Sequence, residues 1–423
     1  MRIFLAFLFL CFTQMHLLSY DIFMIKRNCN LLKLKSSYLF HEINLRKQKF
    51  LQQNPNASLI SLGIGDTSQP LPQTILKGLT EGSNKLGTFE GYTGYGPEQG
   101  GMPLRKKISE VIYQGNLSPE DIFISDGAGC DIGRLQVLFG GQRSIAVQDP
   151  TYPAYVDGSI IQGVEEIVFM PCTPENNFFP DLKKLPRTDL IYFCSPNNPT
   201  GIASTREQLT ELVDFARVNQ SILLFDAAYM NFVQSPQYPR SIFEIEGAKE
   251  VAIEIGSFSK LAGFTGVRLG WTAISEQLRF SDGSSVKDDW DRVVTTLFNG
   301  ASSISQHGGL AVLSEAGMEE VRQLTRFYLE NAGILKSFLH KKGFKIHGGE
   351  HSPYLWTQFN GRKSWELFQE ILEQAHVLTV PGVGFGPSGE GFIRFSAFGK
   401  REKILEAIER LQKLDDGGLS RHR

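Results

Sequence analysis

Cysteine is scarce and scattered in this chain. The five cysteines, Cys11, Cys29, Cys130, Cys172 and Cys194, are odd in number and form no CxxC pair, which argues against a disulfide framework and against a cysteine-built zinc site. Buried, inert thiols in a reducing compartment are the expectation. The eight histidines show no metal-ligand spacing and are assigned no chemistry. Net charge is equally thin: a formal -2 with the signs interspersed leaves no footprint for nucleic acid or an anionic membrane surface. No internal repeat or low-complexity tract is visible. Long apolar runs are missing too, apart from "IFLAFLFLCF" at 3–12. That run is too short to span a bilayer and reads like the apolar heart of a secretory signal. The following "TQMHLLSYDIFMIKRN" has no small-x-small cleavage site, and Met24 opens a polar, basic segment. Residues 1–23 are therefore expected to be a start-site artefact or a dispensable leader, and the protein to be cytoplasmic.

What is present is an ordinary globular composition. With 423 residues, 41% hydrophobic and 21% charged, the chain can bury a sizeable core, enough for one large domain and a smaller second one. "SIAVQDPTYPAY", "DLIYFCSPNNPTG", "SILLFDAAY" and "VAIEIGSFSK" each run from apolar, β-leaning residues straight into turn residues, the mark of a buried strand followed by a loop. Between them, "TREQLTELVDFARVNQ" (205–220) places Leu209, Leu212, Val213 and Ala216 on one helical face. Strand and helix in alternation predict an α/β fold, a mostly parallel sheet covered by helices on both sides in three layers. Ligands bind such sheets outside the carboxyl ends of the strands, where Asp149, Asn198, Asp226 and Lys260 fall. After about residue 300 long helices and short strands predict a smaller α+β C-terminal domain. The expected divisions are an arm at 24–65 packing on the small domain, a large domain at 66–300 and a small domain at 301–423.

The densest chemistry lies in "SFSKLAGFTGVRLGW" (257–271). A buried lysine pays desolvation in its charged form, so Lys260 becomes a neutral nucleophile near neutral pH, able to form a Schiff base. Serine hydroxyls and a planar guanidinium suit a phosphate ester, and Ser257, Ser259 and Arg268 provide them. Lysine with a phosphate cup implies pyridoxal phosphate, whose ring nitrogen needs a carboxylate to stay protonated. Asp226, ending "SILLFD", is the candidate, and Tyr229 and Asn198 are placed to hydrogen-bond the ring's phenolic oxygen. Singly, each has a plain alternative in turns, caps and solvated charge. Jointly, consecutive strand ends deliver an amide, a carboxylate, a phenol and a lysine, which turns alone do not require.

The motifs "SPNNPTG" (195–201), "DAAY" (226–229), "SFSK" (257–260) with Arg268, and "IRFS" (393–396) resemble those of the fold-type I, class I/II pyridoxal-phosphate aminotransferases. The resemblance runs from about residue 38 to the end. It implies that Lys260 is the Schiff-base lysine and the proton-transfer base, that Tyr152 stacks on the ring, and that the backbone around Ala128 and Gly129 helps hold the phosphate at a helix N-terminus. It further implies that Tyr95, in "GYTGYG", reaches the phosphate from the other subunit of a homodimer with shared active sites. Arg394 would clamp the reacting α-carboxylate, and Gly65 would meet the substrate through its backbone.

More narrowly, "SLGIGDTSQPLP", "FEGYTGYGPEQG", "VQDPTYPAYVD", "FNGAS" and "GGEHSPYLW" resemble the diaminopimelate-specific branch of that group. The implied reaction is transamination of LL-2,6-diaminopimelate with 2-oxoglutarate, giving tetrahydrodipicolinate and glutamate for lysine or cell-wall precursors. Tyr38, Glu90 and Asn299 become the expected contacts for the distal amino-acid end. One departure stands out: this chain reads "SDGAGCD" where that branch reads "SDGAK", so Gly129 replaces a lysine. Losing a charged donor in a desolvated site costs on the order of 1–3 kcal/mol. The alternatives are an aminotransferase of the same fold with another amino-acid donor and, from another class, a non-catalytic pyridoxal-phosphate-binding regulator.

Overall fold

The computed structural model describes residues 25–34 and 38–414, and the leader expected at 1–23 lies outside the described residues. In chain order the elements are α1 (Leu39–Gln53), β1 (Ile60–Ser61), α2 (Gln73–Lys85), α3 (Met102–Val111), β2 (Ile122–Ser125), α4 (Ala128–Phe139), β3 (Ser144–Asp149), α5 (Ala154–Gln162), β4 (Glu166–Pro171), β5 (Leu190–Cys194), α6 (Arg206–Asn219), β6 (Ile222–Asp226), β7 (Ala252–Ser257), α7 (Phe258–Leu261) and β8 (Gly270–Ile274). They continue with α8 (Val286–Leu297), α9 (Ser303–Val312), α10 (Glu315–Lys341), β9 (Lys345–Gly348), β10 (Tyr354–Gln358), α11 (Ser364–Ala375), β11 (Val377–Leu378), β12 (Val380–Pro381), β13 (Phe392–Ser396) and α12 (Arg401–Gln412). Among the described residues no helix is long and apolar enough to cross a membrane.

The apolar runs become strands because both of their faces are covered. Every residue of β5 is buried; Phe193 stacks with Phe225 of β6 on one side of the sheet, while Tyr192 and Leu224 enter a separate core on the other. The result is the expected three-layer α/β arrangement. The seven-stranded sheet has the order β2-β8-β7-β6-β5-β3-β4. The neighbours from β7 to β4 are parallel, and β8 runs antiparallel to β2 and β7. Helix α6 starts at Thr205, whose side chain and that of Gln208 cap each other's backbone N–H, and it buries Leu209, Leu212, Val213 and Ala216. The chain leaves β3 to form β4 on one side and resumes with β5 on the other. This reversal opens a crevice at the carboxyl ends of β3 and β5.

The small lobe is an antiparallel sheet of order β12-β13-β10-β9. Leu39, Ile43 and Phe50 of α1 share its core with α11 and α12. Residues just before α1 lie elsewhere: Asn28 and Asn30 donate to the Ile161 carbonyl of α5, and Lys33 pairs with Glu165 at 2.8 Å. Gly78 and Gly82 of α2 lie against His307 and Ala311 of α9, and Val312, Leu313 and Val321 belong to the large-lobe core. The chain therefore crosses between lobes along α10.

Asp149, read from sequence as a strand-end group facing the ligand crevice, does something else. Its carboxylate accepts from the Ser388 backbone at 3.1 Å and hydroxyl at 2.8 Å, and Thr151 N–H donates to the Phe385 carbonyl at 2.8 Å. Asp149 joins the end of β3 to the small lobe.

Candidate active site

The crevice is a cavity of about 440 Å³. Of the residues singled out in the sequence, Gly65, Ala128, Gly129, Tyr152, Asn198, Asp226, Tyr229, Ser257, Ser259, Lys260, Arg268 and Arg394 all line it.

At one end is an anion cradle. Ser257 ends β7 and caps α7, its hydroxyl accepting from Ser259 N–H at 3.2 Å, which sets the next turn so that Lys260 follows on the pocket side. Arg268 donates to the Ser259 hydroxyl at 3.2 Å and the Thr265 carbonyl at 3.1 Å. Across from it α4 begins at Ala128, where the first N–H groups have no acceptor within the helix. Gly127 precedes that helix at φ 121°, and a Cβ there would lie 2.5 Å from Arg268 Nη2. Glycine is thus required both by its backbone angle and by the closeness of the guanidinium. Gly129 is different: a Cβ there would meet nothing within 4 Å.

Lys260 Nζ donates to the Gly65 carbonyl. Burial pushes its ammonium down to about 8; Asp66 opposes the shift, and Arg394 and Arg268 add to it. Asp226 is deeply buried, and burial raises its carboxyl pKa against the pull of two donors, Tyr155 Oη to Oδ2 at 2.6 Å and Ala228 N–H to Oδ1 at 2.9 Å. At the opposite end Arg394 is only 1% exposed. It donates to Asn198 Oδ1 and to the Gly63 carbonyl, each at 2.5 Å, and its Nε has no partner among the described residues. Burial lowers its pKa. A buried guanidinium with an unused N–H is an incomplete bidentate fork, suited to a carboxylate.

Three cations, Lys260, Arg268 and Arg394, and two carboxylates, Asp66 and Asp226, line one cavity. A phosphate at one end, a cationic ring nitrogen at Asp226 and a carboxylate at Arg394 would balance them. Comparison with known proteins settles the family. The family model for aminotransferase class I and II matches residues 57–411. The chain belongs to this family. The aminotransferase is 55% identical over 400 residues to a protein named LL-diaminopimelate aminotransferase from Protochlamydia amoebophila (strain UWE25), covering 92% of this chain and 97% of that one. It is 52% identical to the chloroplastic LL-diaminopimelate aminotransferase of Arabidopsis thaliana, covering 92% and 87%. The solved structure of L,L-diaminopimelate aminotransferase from Chlamydomonas reinhardtii superposes with a TM-score of 0.89 at 51% identity, covering 92% and 98%.

Enzymes of this family use pyridoxal phosphate, and the residues present fit that group. A Cβ at Gly127 would crowd the Arg268 guanidinium of the cradle, and a buried carboxylate waits at Asp226. Four predicted residues do not line the cavity. Tyr38 adjoins it through a hydrogen bond with Tyr152, and burial with that contact raises its pKa. Glu90, Tyr95 and Asn299 are exposed. The sequence reading missed Tyr155, Cys194, Asp66, Phe40, Thr265 and Tyr354, which also line the cavity. Tyr155 was findable, since it lies one helical turn beyond Tyr152. Tyr354 lies inside "GGEHSPYLW", quoted for the resemblance, but was given no role of its own.

Proposed function

We propose that this aminotransferase passes the amino group of LL-2,6-diaminopimelate to 2-oxoglutarate, yielding tetrahydrodipicolinate and glutamate for lysine or cell-wall precursor synthesis. The observation that carries the reading is the likeness, over more than half of all positions and nearly the whole chain, to proteins named for that substrate. Bound pyridoxal phosphate supplies an electron sink for the pair released when the donor's α-carbon loses its proton.

The chain's own residues do the rest. Ser257, Ser259, Arg268 and the N–H groups at Ala128 and Gly129 hold the phosphate. Asp226, its charge supported by Tyr155 and Ala228, partners the ring nitrogen, while Tyr152 covers the ring face. Asn198 and Tyr229 bond the phenolic oxygen. Lys260 would anchor the cofactor and, once displaced by the donor, would carry the proton between the donor's α-carbon and the cofactor's C4′ carbon; burial holds its ammonium below the usual lysine range, to about 8. Arg394 receives the α-carboxylate on Nε and the neighbouring Nη, and the Gly65 backbone borders the substrate.

The enzyme acts as a homodimer with shared sites in this reading. Phe89 (101% exposed), Tyr92 (66%) and Tyr95 (87%) lie on one glycine-rich loop, and Gly300, next to Asn299, packs against Pro97 of that loop. Glu90, Tyr95 and Asn299 thus share a surface that a second copy would cover, where Tyr95 reaches the neighbouring phosphate and Glu90 and Asn299, with Tyr38, meet the distal amino-acid end. We place the enzyme in the cytoplasm, in keeping with free Cys29, Cys130, Cys172 and Cys194. The open space at Gly129 favours one second reading, a donor other than diaminopimelate. Lys260→Ala tests the catalytic reading: turnover should vanish in a protein with an unchanged thermal midpoint, and a fully active variant would refute it.

A further inference from the structure

The hydroxyls of Tyr229 and Tyr354 lie 2.9 Å apart, and distance alone allows either to donate. Both side chains are buried, at 5% and 1% exposure. Tyr229 has a single proton, and in the role proposed above it spends that proton on the cofactor's phenolic oxygen, so Tyr229 accepts from Tyr354. The Arg394 guanidinium carbon sits 4.3 Å from the centre of the Tyr354 ring. Tyr229 lines the cavity, and its own proton is left to point inward. A donor that is itself accepting a hydrogen bond is polarised and donates more strongly.

Tyr354 touches the substrate side as well. A Cβ at Gly65 would overlap the Tyr354 hydroxyl, so the phenol fills the space that the missing side chain leaves. Its ring packs on the Arg394 guanidinium, as does that of Phe385 at 4.8 Å, while Asn198 and Gly63 accept hydrogen bonds from it. Simple packing explains the ring of Tyr354, which belongs to a small aromatic cluster with Phe232, Tyr328 and Phe398. It does not explain a hydroxyl within hydrogen-bond reach of the phenol assigned to the cofactor's phenolic oxygen.

We propose that Tyr354 is a positioning residue acting at both ends of the reaction centre: its hydroxyl commits the Tyr229 proton to the cofactor's phenolic oxygen, and its ring holds the Arg394 guanidinium in the plane that receives the donor's carboxylate. This rests on the roles proposed above for Tyr229 and Arg394. The two effects separate by substitution. Tyr354→Phe removes only the hydroxyl and keeps the ring; Tyr354→Leu removes both.

The test is a pH titration of the visible absorbance of the cofactor-loaded protein, together with steady-state kinetics for the donor. A weaker donor to an anionic oxygen favours its protonated form, so Tyr354→Phe should raise the absorbance midpoint by about 0.2–0.5 pH unit, the strengthening that one upstream hydrogen bond lends to the next. Its KM for the donor should stay within about twofold. Tyr354→Leu should raise the midpoint equally and KM by about tenfold, as a displaced guanidinium requires. A wild-type midpoint that Tyr354→Phe leaves unmoved would overturn this inference and leave the cofactor site standing. A wild-type protein with no pH-dependent visible band would overturn both.

Discussion

The lowered pKa of Lys260 makes a quantitative demand on how the apo-protein captures its cofactor. Only the neutral amine attacks a carbonyl. A lysine at its ordinary 10.5 is neutral in about one molecule in 3,000 at pH 7, whereas one at about 8 is neutral in roughly one in ten, a gain of about 300-fold. The cause is burial first, with Arg268 and Arg394 adding like charge and Asp66 opposing. The lysine's folded pKa lies below its unfolded value, so the neutral form dominates above about pH 8, and capture should slow tenfold per unit below it. Stopped-flow mixing of apo-protein with pyridoxal phosphate from pH 6 to 10, divided by the rate for Nα-acetyl-lysine to remove the reagent's own titration, gives the profile. The normalised rate should show a midpoint near 8 and the full excess at pH 7. Asp66→Asn removes the neighbouring carboxylate that favours the cation and should move the midpoint lower. A profile parallel to the free lysine derivative, or an upward shift in Asp66→Asn, would refute the reasoning.

Two further substitutions probe the cavity. Gly127→Ala places a Cβ 2.5 Å from Arg268 Nη2 on a backbone at φ 121°, which costs about 1–3 kcal/mol in strain; cofactor retention on dialysis should fall sharply, and full retention would show that the cradle is misplaced. Gly129→Lys meets no atom within 4 Å at its Cβ, so it should fold normally and lower KM about tenfold for donors with a distal carboxylate while leaving donors without one unchanged, the value of one charged donor. An equal change for both donor classes would show that position 129 does not face the distal end.

The parts of the fold legible in the sequence were those whose physics is local. Residues 144–149, 190–194, 222–226 and 252–257 announced themselves because strands buried on both faces must be continuously apolar. The helix at 206–219 did so through its one apolar face. The site was legible for the same reason: Asn198, Asp226 and Lys260 stand at or just beyond strand ends, and topology carries strand ends to one crevice. What escaped depends on partners distant in sequence. Asp149 has the same address as Asp226, yet Ser388, from the far lobe, claims its carboxylate. Tyr354 gained its place from Tyr229, Arg394 and Gly65, none of them its neighbours in the chain. Gly78, Gly82 and Gly308 are small enough to let α2 and α9 pack closely, a contact across more than two hundred residues that no local pattern shows. Glu90, Tyr95 and Asn299 were named by resemblance alone, and their exposure in one chain is consistent with service in a second.

The central claim, a lysine-anchored cofactor that accepts an amino group from diaminopimelate, is tested most directly by the visible spectrum of the purified protein. A yellow band that is bleached by LL-diaminopimelate and restored by 2-oxoglutarate is the predicted result, with glutamate and aspartate as comparison donors. A yellow protein that only the comparison donors bleach would contradict the proposed substrate, and a protein that takes up no pyridoxal phosphate would contradict the reading of Lys260 itself.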